Sequence, residues 1–402
     1  MAHFCKQFLC AILCASIAFC AATFAVPMRA AAEGETPSGE DLAGLPAAVA
    51  KGLTARAYIL IEATTGRVLA GGNQSERLPM ASTTKIMTAL LTLEQPNLEE
   101  EFTVDPAAIK VEGSSMGLPE GDRASLHDLA YGMLLSSGND AANAAAVRID
   151  GSIPKFVERM NRRAQEMGMK NTRFVTPSGL PADDHYSTAE DMALLARYAI
   201  ANPRFAEICQ LKKAKLSFGN PPFDRWLSNH NKLLEQYPGC IGMKTGFTKA
   251  AGRCLVSAAR RNDVTLICVT LHDPNDWRDH AQLFDFGFTA VVPWDLAPDC
   301  SKLRLKVVGG AAKTAPVRAL DATPACVTQE QMASVEQEVH LDRFYYAPIR
   351  EGDVVGRIVH RLNGFVVAET DLVAAADVPL DATPRRKSLF DRVKEFWREH
   401  VK

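Results

Sequence analysis

Leu78-Pro79-Met80-Ala81-Ser82-Thr83-Thr84-Lys85-Ile86-Met87-Thr88-Ala89-Leu90-Leu91 is the stretch whose reading decides the fold. It turns strongly apolar just after the lysine, as a helix entering a core does. Residues three apart on a helix share a face, so the Lys85 amine can reach the Ser82 hydroxyl. A serine hydroxyl is a weak nucleophile until a base accepts its proton, and a lysine desolvated beside other cations is neutral enough to do so. Ser82 also falls at the helix start, where free backbone N–H groups can help to stabilise an oxyanion.

Ser-x-x-Lys alone is a weak signal in a chain of 402 residues. Two further motifs strengthen it: Ser137-Gly138-Asn139 lies 55 residues after Ser82, and Lys244-Thr245-Gly246 lies 107 residues beyond Ser137. In that order the three strings form the set of the penicillin-recognising serine enzymes. Their flanks, Leu134-Leu135-Ser136-Ser137-Gly138-Asn139-Asp140-Ala141-Ala142 and Gly242-Met243-Lys244-Thr245-Gly246-Phe247-Thr248, resemble the low-molecular-mass penicillin-binding proteins that are D-alanyl-D-alanine carboxypeptidases (serine peptidase S11). Pro177-Ser178-Gly179-Leu180, followed by His185-Tyr186-Ser187-Thr188-Ala189-Glu190-Asp191-Met192, resembles the same family. The likeness runs from about Ala55 to the C-terminus.

A net charge of -2 offers no basic excess to neutralise phosphates, which argues against nucleic acid as a partner. With 47% hydrophobic and 23% charged residues the chain has material for real cores and room for two or three domains. Residues 1–32 read as a signal peptide: Lys6 supplies the positive region, Phe8 to Val26 is apolar or small apart from Ser16 and Thr23, and Ala30-Ala31-Ala32 offers the cleavage site. The alternative is an uncleaved anchor, because the apolar run could just span a bilayer. Export would place the protein on the extracytoplasmic face of a bacterial cell membrane or in the cell wall. Six cysteines lie beyond this segment (Cys209, Cys240, Cys254, Cys268, Cys300, Cys326); their spacings fit no zinc or redox signature, and they read as buried thiols. A Cys300–Cys326 disulfide is the disfavoured alternative.

The fold expected is α+β. A polar leader (33–45) precedes a catalytic domain over residues 46–292. It opens with strands Ala55 to Glu62 and Arg67 to Ala70 and continues with helices at Ser125 to Ser136, Phe156 to Met167 and Thr188 to Ala199. The last of these opens with a Ser187-to-Glu190 capping box. Strands return at Cys254 to Arg260 and Val264 to Leu271, and a helix follows over Trp277 to Phe286. Strands at both ends with helices between them imply an antiparallel sheet covered by helices, and the resemblance implies the penicillin-binding-protein/β-lactamase-like transpeptidase domain. Residues 293–380 read as a small all-β domain serving as a spacer. In residues 385–402, Leu389, Phe390, Val393, Phe396, Trp397 and Val401 form one apolar stripe amid a local charge of +4. That pattern suits an amphipathic helix lying in an anionic membrane surface; a helix packed on its own protein is the alternative.

The resemblance assigns roles. Ser82 is the nucleophile, Lys85 the general base, Ser137 a proton relay, and Asn139 the orienter of Lys85. Lys244 adds positive potential, Thr245 donates to a substrate carboxylate, and Gly246 lets the substrate backbone approach closely. The oxyanion hole is the N–H of Ser82 with that of Phe247, and Arg278 is a second cation for the carboxylate. Taken singly, Ser-Gly-Asn is a turn with a helix cap, and Arg278 a surface arginine capping its own helix. His185 reads as a structural hydrogen-bonder and Cys240 as a buried thiol. The implied reaction is acyl transfer without metal or cofactor: removal of the terminal D-alanine from peptidoglycan stem peptides, with β-lactams as covalent inhibitors. A D,D-endopeptidase and a serine β-lactamase of the same fold are rivals. The Glu-x-x-Leu-Asn string of class A β-lactamases does not occur between Asn139 and Lys244. A silent wall-binding protein would have no need to retain Ser82, Lys85 and Lys244.

Overall fold

The computed structural model describes residues 47–291, 293–296, 298–327, 329–382 and 389–400. The signal peptide and leader expected over residues 1–45 lie outside the described residues, as do residues 385–388 and 401–402 of the tail.

A five-stranded antiparallel sheet runs in the order Val68–Gly72, Ala57–Glu62, Val264–Leu271, Gly252–Arg261, Cys240–Thr248. The first two strands form one hairpin and the last three a meander, so the two ends of the domain meet in mid-sheet, where Ile59 pairs with Val269. The sheet's inner strands are buried on both faces; Val264–Leu271 has no exposed residue. One face carries the helix Asp276–Ala290, whose Leu283 and Phe284 pack with Leu60, Leu255 and Leu266. The other face meets the larger helical core of Lys85–Leu93, Leu126–Leu134, Asn139–Asp150, Ile153–Met167 and Ala189–Ala201. Lys85–Leu93 is buried at all nine positions, so it is the central helix of that core. Its N-terminus lies beside the edge strand Cys240–Thr248, and the cleft is set there.

The helix at 189–201 is capped one residue later than expected. Ser187 is held by Leu78 in an isolated bridge, so Thr188 becomes the cap, its hydroxyl accepting from Asp191 N–H at 3.0 Å. The hairpin Lys213–Gly219 with Pro222–Ser228 was not foreseen. Beyond Val291 a second sheet orders Glu336–Leu341, Val354–Leu362, Phe365–Ala374, Thr314–Ala319, Arg304–Val308 and Tyr345–Tyr346. The tip of its long hairpin touches the helical core: Phe365 meets Tyr198 edge-on, and the Arg197 guanidinium stacks 3.7 Å from the Phe365 centroid. All six cysteines among the described residues are free thiols; Cys326 packs in the core under Asp276–Ala290, and Cys300 borders the core of the second sheet.

Candidate active site

Ser82 sits in a short 3₁₀ turn, Ala81–Thr84, that runs directly into the helix beginning at Lys85. In a 3₁₀ turn residues three apart eclipse, and Lys85 Nζ lies 2.9 Å from Ser82 Oγ. The turn starts from a left-handed Ala81 (φ 48°), a conformation that costs an L-residue energy unless its surroundings hold it. They do so through a chain of hydrogen bonds. Val175 N–H donates to His185 Nδ1 at 2.9 Å, which leaves the ring proton on Nε2 to donate to Thr84 Oγ1 at 2.9 Å, and Thr84 donates to the Ala81 carbonyl at 2.8 Å. Burial pushes the His185 imidazole down to about 4, so it stays neutral. Gly179 packs so close that a Cβ there would lie 2.0 Å from the Ala81 carbonyl oxygen, and its φ of 84° suits only glycine.

Lys85 is fully buried. Its amine touches Asn139 Oδ1 at 2.7 Å, the Ser178 carbonyl at 2.6 Å and Ser82 Oγ. The first two can only accept, because Asn139 spends its amide N–H on the Glu112 carbonyl at 2.6 Å. A neutral amine has two N–H donors and one lone pair. Both donors are therefore occupied, and the lone pair is left to accept the Ser82 O–H. The Lys85 amine is pushed well below the ordinary lysine range, first by burial and then by the charge of Lys244, against an opposing pull from Asp140. The electrostatics thus agree with the hydrogen-bond count.

Asn139 opens the helix Asn139–Asp150, and its own N–H donates to the Ser114 carbonyl at 2.7 Å. Asp140 accepts from the backbone N–H groups of Met116, Gly117 and Leu118, fastening residues 115–118 to the same helix end. Ser137, buried in the turn before it, takes a left-handed backbone (φ 58°). On the other side of the cleft, Lys244 is buried, donates to the Thr245 carbonyl at 2.9 Å, and is pushed down to about 7 by burial. Thr245 is half-buried and Phe247 exposed. A Cβ on Gly246 would stand 3.0 Å from the Met80 carbonyl and 3.1 Å from Ser82 N, so the edge strand passes against the nucleophile's own backbone.

The structure therefore gathers Ser82, Lys85, Asn139, Lys244 and Gly246 around one point, with Ser137, Thr245 and Phe247 on the same two segments. It places Arg278 elsewhere: the guanidinium is held by Asp279 at 3.0 Å and by the Gly52 carbonyl at 2.8 Å. Among the described residues no hydrogen bond joins it to the Ser82 cluster. Three participants escaped the sequence reading. The Ser178 carbonyl lies in a string already notable for its family likeness, Pro177-Ser178-Gly179-Leu180. Asp140 directly follows a motif residue. His230, whose imidazole is pushed down by burial and by the charges of Lys244 and Lys85, follows the strand Pro222–Ser228 at the start of the connection to the Cys240–Thr248 strand.

Comparison with known proteins agrees with this geometry. The family model described as D-alanyl-D-alanine carboxypeptidase matches residues 46–275, and the model of the penicillin-binding protein 5 C-terminal domain matches residues 300–380. The D-alanyl-D-alanine carboxypeptidase DacF of Bacillus subtilis is 32% identical over 336 residues, covering 81% of this chain and 86% of that protein. A relative named D-alanyl-D-alanine endopeptidase, from Pseudomonas aeruginosa, is 33% identical over 232 residues, 56% of this chain and 73% of its own length. Among solved structures, penicillin binding protein 5 from Haemophilus influenzae superposes with a TM-score of 0.58 at 29% identity, covering 81% of this chain and 98% of that one. The chain belongs to the D-alanyl-D-alanine carboxypeptidase family, peptidase S11, and carries that family's penicillin-binding protein 5 type C-terminal domain.

Proposed function

We propose that the protein is a serine D-alanyl-D-alanine carboxypeptidase acting on peptidoglycan stem peptides. The observation that carries this reading is the Lys85 amine held at 2.7 Å and 2.6 Å by two obligate acceptors, with its remaining valence on Ser82 at 2.9 Å. Ser82 attacks the carbonyl of the penultimate D-alanine while Lys85 takes the hydroxyl proton. The developing oxyanion is stabilised by the N–H groups of Ser82 and Phe247. Lys244 and Thr245 receive the terminal carboxylate, and Gly246 leaves room for the substrate backbone. Ser137 passes the proton from Lys85 to the departing amine, and Asn139 keeps Lys85 oriented. Water then hydrolyses the acyl-enzyme. The second-cation role expected of Arg278 is not carried over, because Asp279 and Gly52 already hold it. A β-lactam presents the same carbonyl and carboxylate, and its acyl-enzyme is the longer-lived species.

Intact-protein mass spectrometry of residues 33–402 tests the reading directly. One benzylpenicillin should add per chain, and D-alanine should be released from Nα,Nε-diacetyl-L-Lys-D-Ala-D-Ala. Rapid drug hydrolysis without a lasting adduct would mean a β-lactamase. Cleavage of cross-linked dimers in preference to the tripeptide would mean the endopeptidase of its Pseudomonas relative.

The site of action proposed is the outer face of the cell membrane, with the C-terminal helix as anchor. Leu389–His400 is helical, and Phe390 is 81% exposed, Phe396 61% and Trp397 61%, with the basic Arg392, Lys394 and Arg398 also exposed. Among the described residues no helix is long and apolar enough to cross a membrane. An interfacial helix with aromatic and basic side chains binds anionic lipid in a salt-sensitive way. Residues 33–402 should sediment with vesicles containing anionic lipid, and deletion of residues 385–402 should leave the protein in the supernatant with full activity on the tripeptide. Continued sedimentation of the truncated form would rule the helix out.

A further inference from the structure

The second sheet has two unlike ends. Its long hairpin, Val354–Leu362 with Phe365–Ala374, turns at Asn363-Gly364, and that end rests on the catalytic domain through Phe365. Nine residues of strand rise about 30 Å, so the open end of the hairpin stands well away from that contact. The register carries the sheet further still: Val317 pairs with Ala374, Thr314 with Lys306, and beyond them Val308 with Tyr346.

The chain leaves the domain at this outer end. Leu380 bridges Gly310, Ala311 N–H donates to the Pro379 carbonyl at 2.9 Å, and Asp381 N–H donates to the Gly309 carbonyl at 2.9 Å. The helix Leu389–His400 begins eight residues after Asp381. Eight residues reach at most roughly 28 Å. Four apolar side chains face solvent at the same corner: Tyr346 is 70% exposed, Leu380 60%, and Val308 and Phe344 are exposed beside Tyr346. Phe344 and Tyr346 meet edge-on with ring centroids 5.4 Å apart. The domain's own core does not use them, because Val307, Tyr345 and Val378 are the neighbours that pack inward. The exposed cations Lys306, Lys313 and Arg343 on these segments stand against the exposed acids Asp342 and Asp381, so the corner is mainly apolar in character.

We propose that this outer end of the second domain is a lipid-contact surface, in which Phe344, Tyr346, Val308 and Leu380 enter the same membrane interface as the C-terminal helix. The assignment rests on that helix being the anchor. Apolar side chains gathered at an exposed corner mark a surface that meets something, and the short tether to an aromatic, basic helix makes that something lipid. Aromatic rings with one polar edge settle at the boundary between headgroups and acyl chains. The patch is too small to hold the protein by itself. It acts because the helix keeps it at high effective concentration over the bilayer, which agrees with release of the protein when residues 385–402 are removed.

The test measures partition of residues 33–402 onto vesicles of phosphatidylcholine with phosphatidylglycerol. The double variant Phe344→Ser, Tyr346→Ser should bind about tenfold more weakly than the native chain, and that ratio should persist in high salt because the lost contact is apolar. Release of D-alanine from the soluble tripeptide should be unchanged, which shows the variant folded. In the native protein, amide hydrogen exchange of residues 343–348 should slow when vesicles are added. Equal partition of variant and native chain, with exchange in that segment unmoved by lipid, would overturn the contact. Loss of a native self-association in the double variant, with partition unaltered, would make the patch an interface between copies instead. If the chain lacking residues 385–402 binds like the native one and the double variant releases it, the anchor reading fails while the lipid surface stands. Absence of vesicle binding by the native chain would sink both.

Discussion

Ser82→Ala should form no benzylpenicilloyl adduct and release no D-alanine from the tripeptide, a loss on the order of 10⁴-fold or more. Removing the hydroxyl removes the nucleophile that the Lys85 amine contacts at 2.9 Å. The substitution should leave the fold intact. Lys85 keeps Asn139 and the Ser178 carbonyl, two of its three partners. The turn keeps the hydrogen bonds of Thr83 and Thr84 to the Met80 and Ala81 carbonyls. A thermal midpoint within a few degrees of the native one is expected, since a part-buried methylene-scale change costs little. Intact-mass spectrometry with a melting curve on the same sample decides the matter. Adduct formation at the native rate would move the nucleophile elsewhere.

The catalytic constellation was legible because its parts are short strings of chemically distinctive residues, and because a helical turn, 3₁₀ here, sets residues three apart on one side. The antiparallel sheet covered by helices was legible from apolar runs near both ends of the domain. What stayed hidden has physical reasons. The third partner of Lys85 is a main-chain carbonyl 93 residues away, and carbonyls have no signature in a sequence. The hairpin from Lys213 to Ser228 pairs an alternating strand with one that breaks the pattern, because Arg225 is buried and Phe223 and Trp226 face outward, and its two-residue turn is Asn220-Pro221, which lacks the glycine that usually marks such a turn. The cap of the helix at Ala189 moved from Ser187 to Thr188 because a bridge to Leu78, over a hundred residues earlier, claimed Ser187 first. Arg278 was placed by resemblance alone. The carboxylate of its sequence neighbour Asp279, fully buried and also bound by Thr54, competes for its guanidinium. The Ser178 carbonyl and the Leu78 bridge are long-range contacts that override a local pattern.

The second large effect expected belongs to the lysine pair. Lys85→Met should lower the acylation rate constant by roughly 10³- to 10⁴-fold, the upper range for a general base, because the Ser82 proton would have no acceptor. The pH dependence supplies a sharper test. Lys85 must be neutral to act, and burial with the Lys244 charge holds its amine well below the ordinary lysine range. Acylation by benzylpenicillin should therefore rise with pH and level off well below that range. Lys244 works in the opposite sense: it must be charged to receive the carboxylate, and burial pushes it down to about 7. Above that pH the free enzyme loses the cation, so KM should climb while kcat holds, since a bound carboxylate restores the ammonium. The two lysines are also linked, because losing one positive charge makes the other easier to keep. In Lys244→Met the like charge beside Lys85 is gone, the Lys85 amine holds its proton to higher pH, and the rising limb should move upward while the falling limb disappears. Stopped-flow acylation across pH 5 to 10 in the native protein and in Lys244→Met measures both limbs. A rising limb that stays in place, or moves to lower pH, would mean that Lys85 is not the base, or that Lys244 does not act on it through charge.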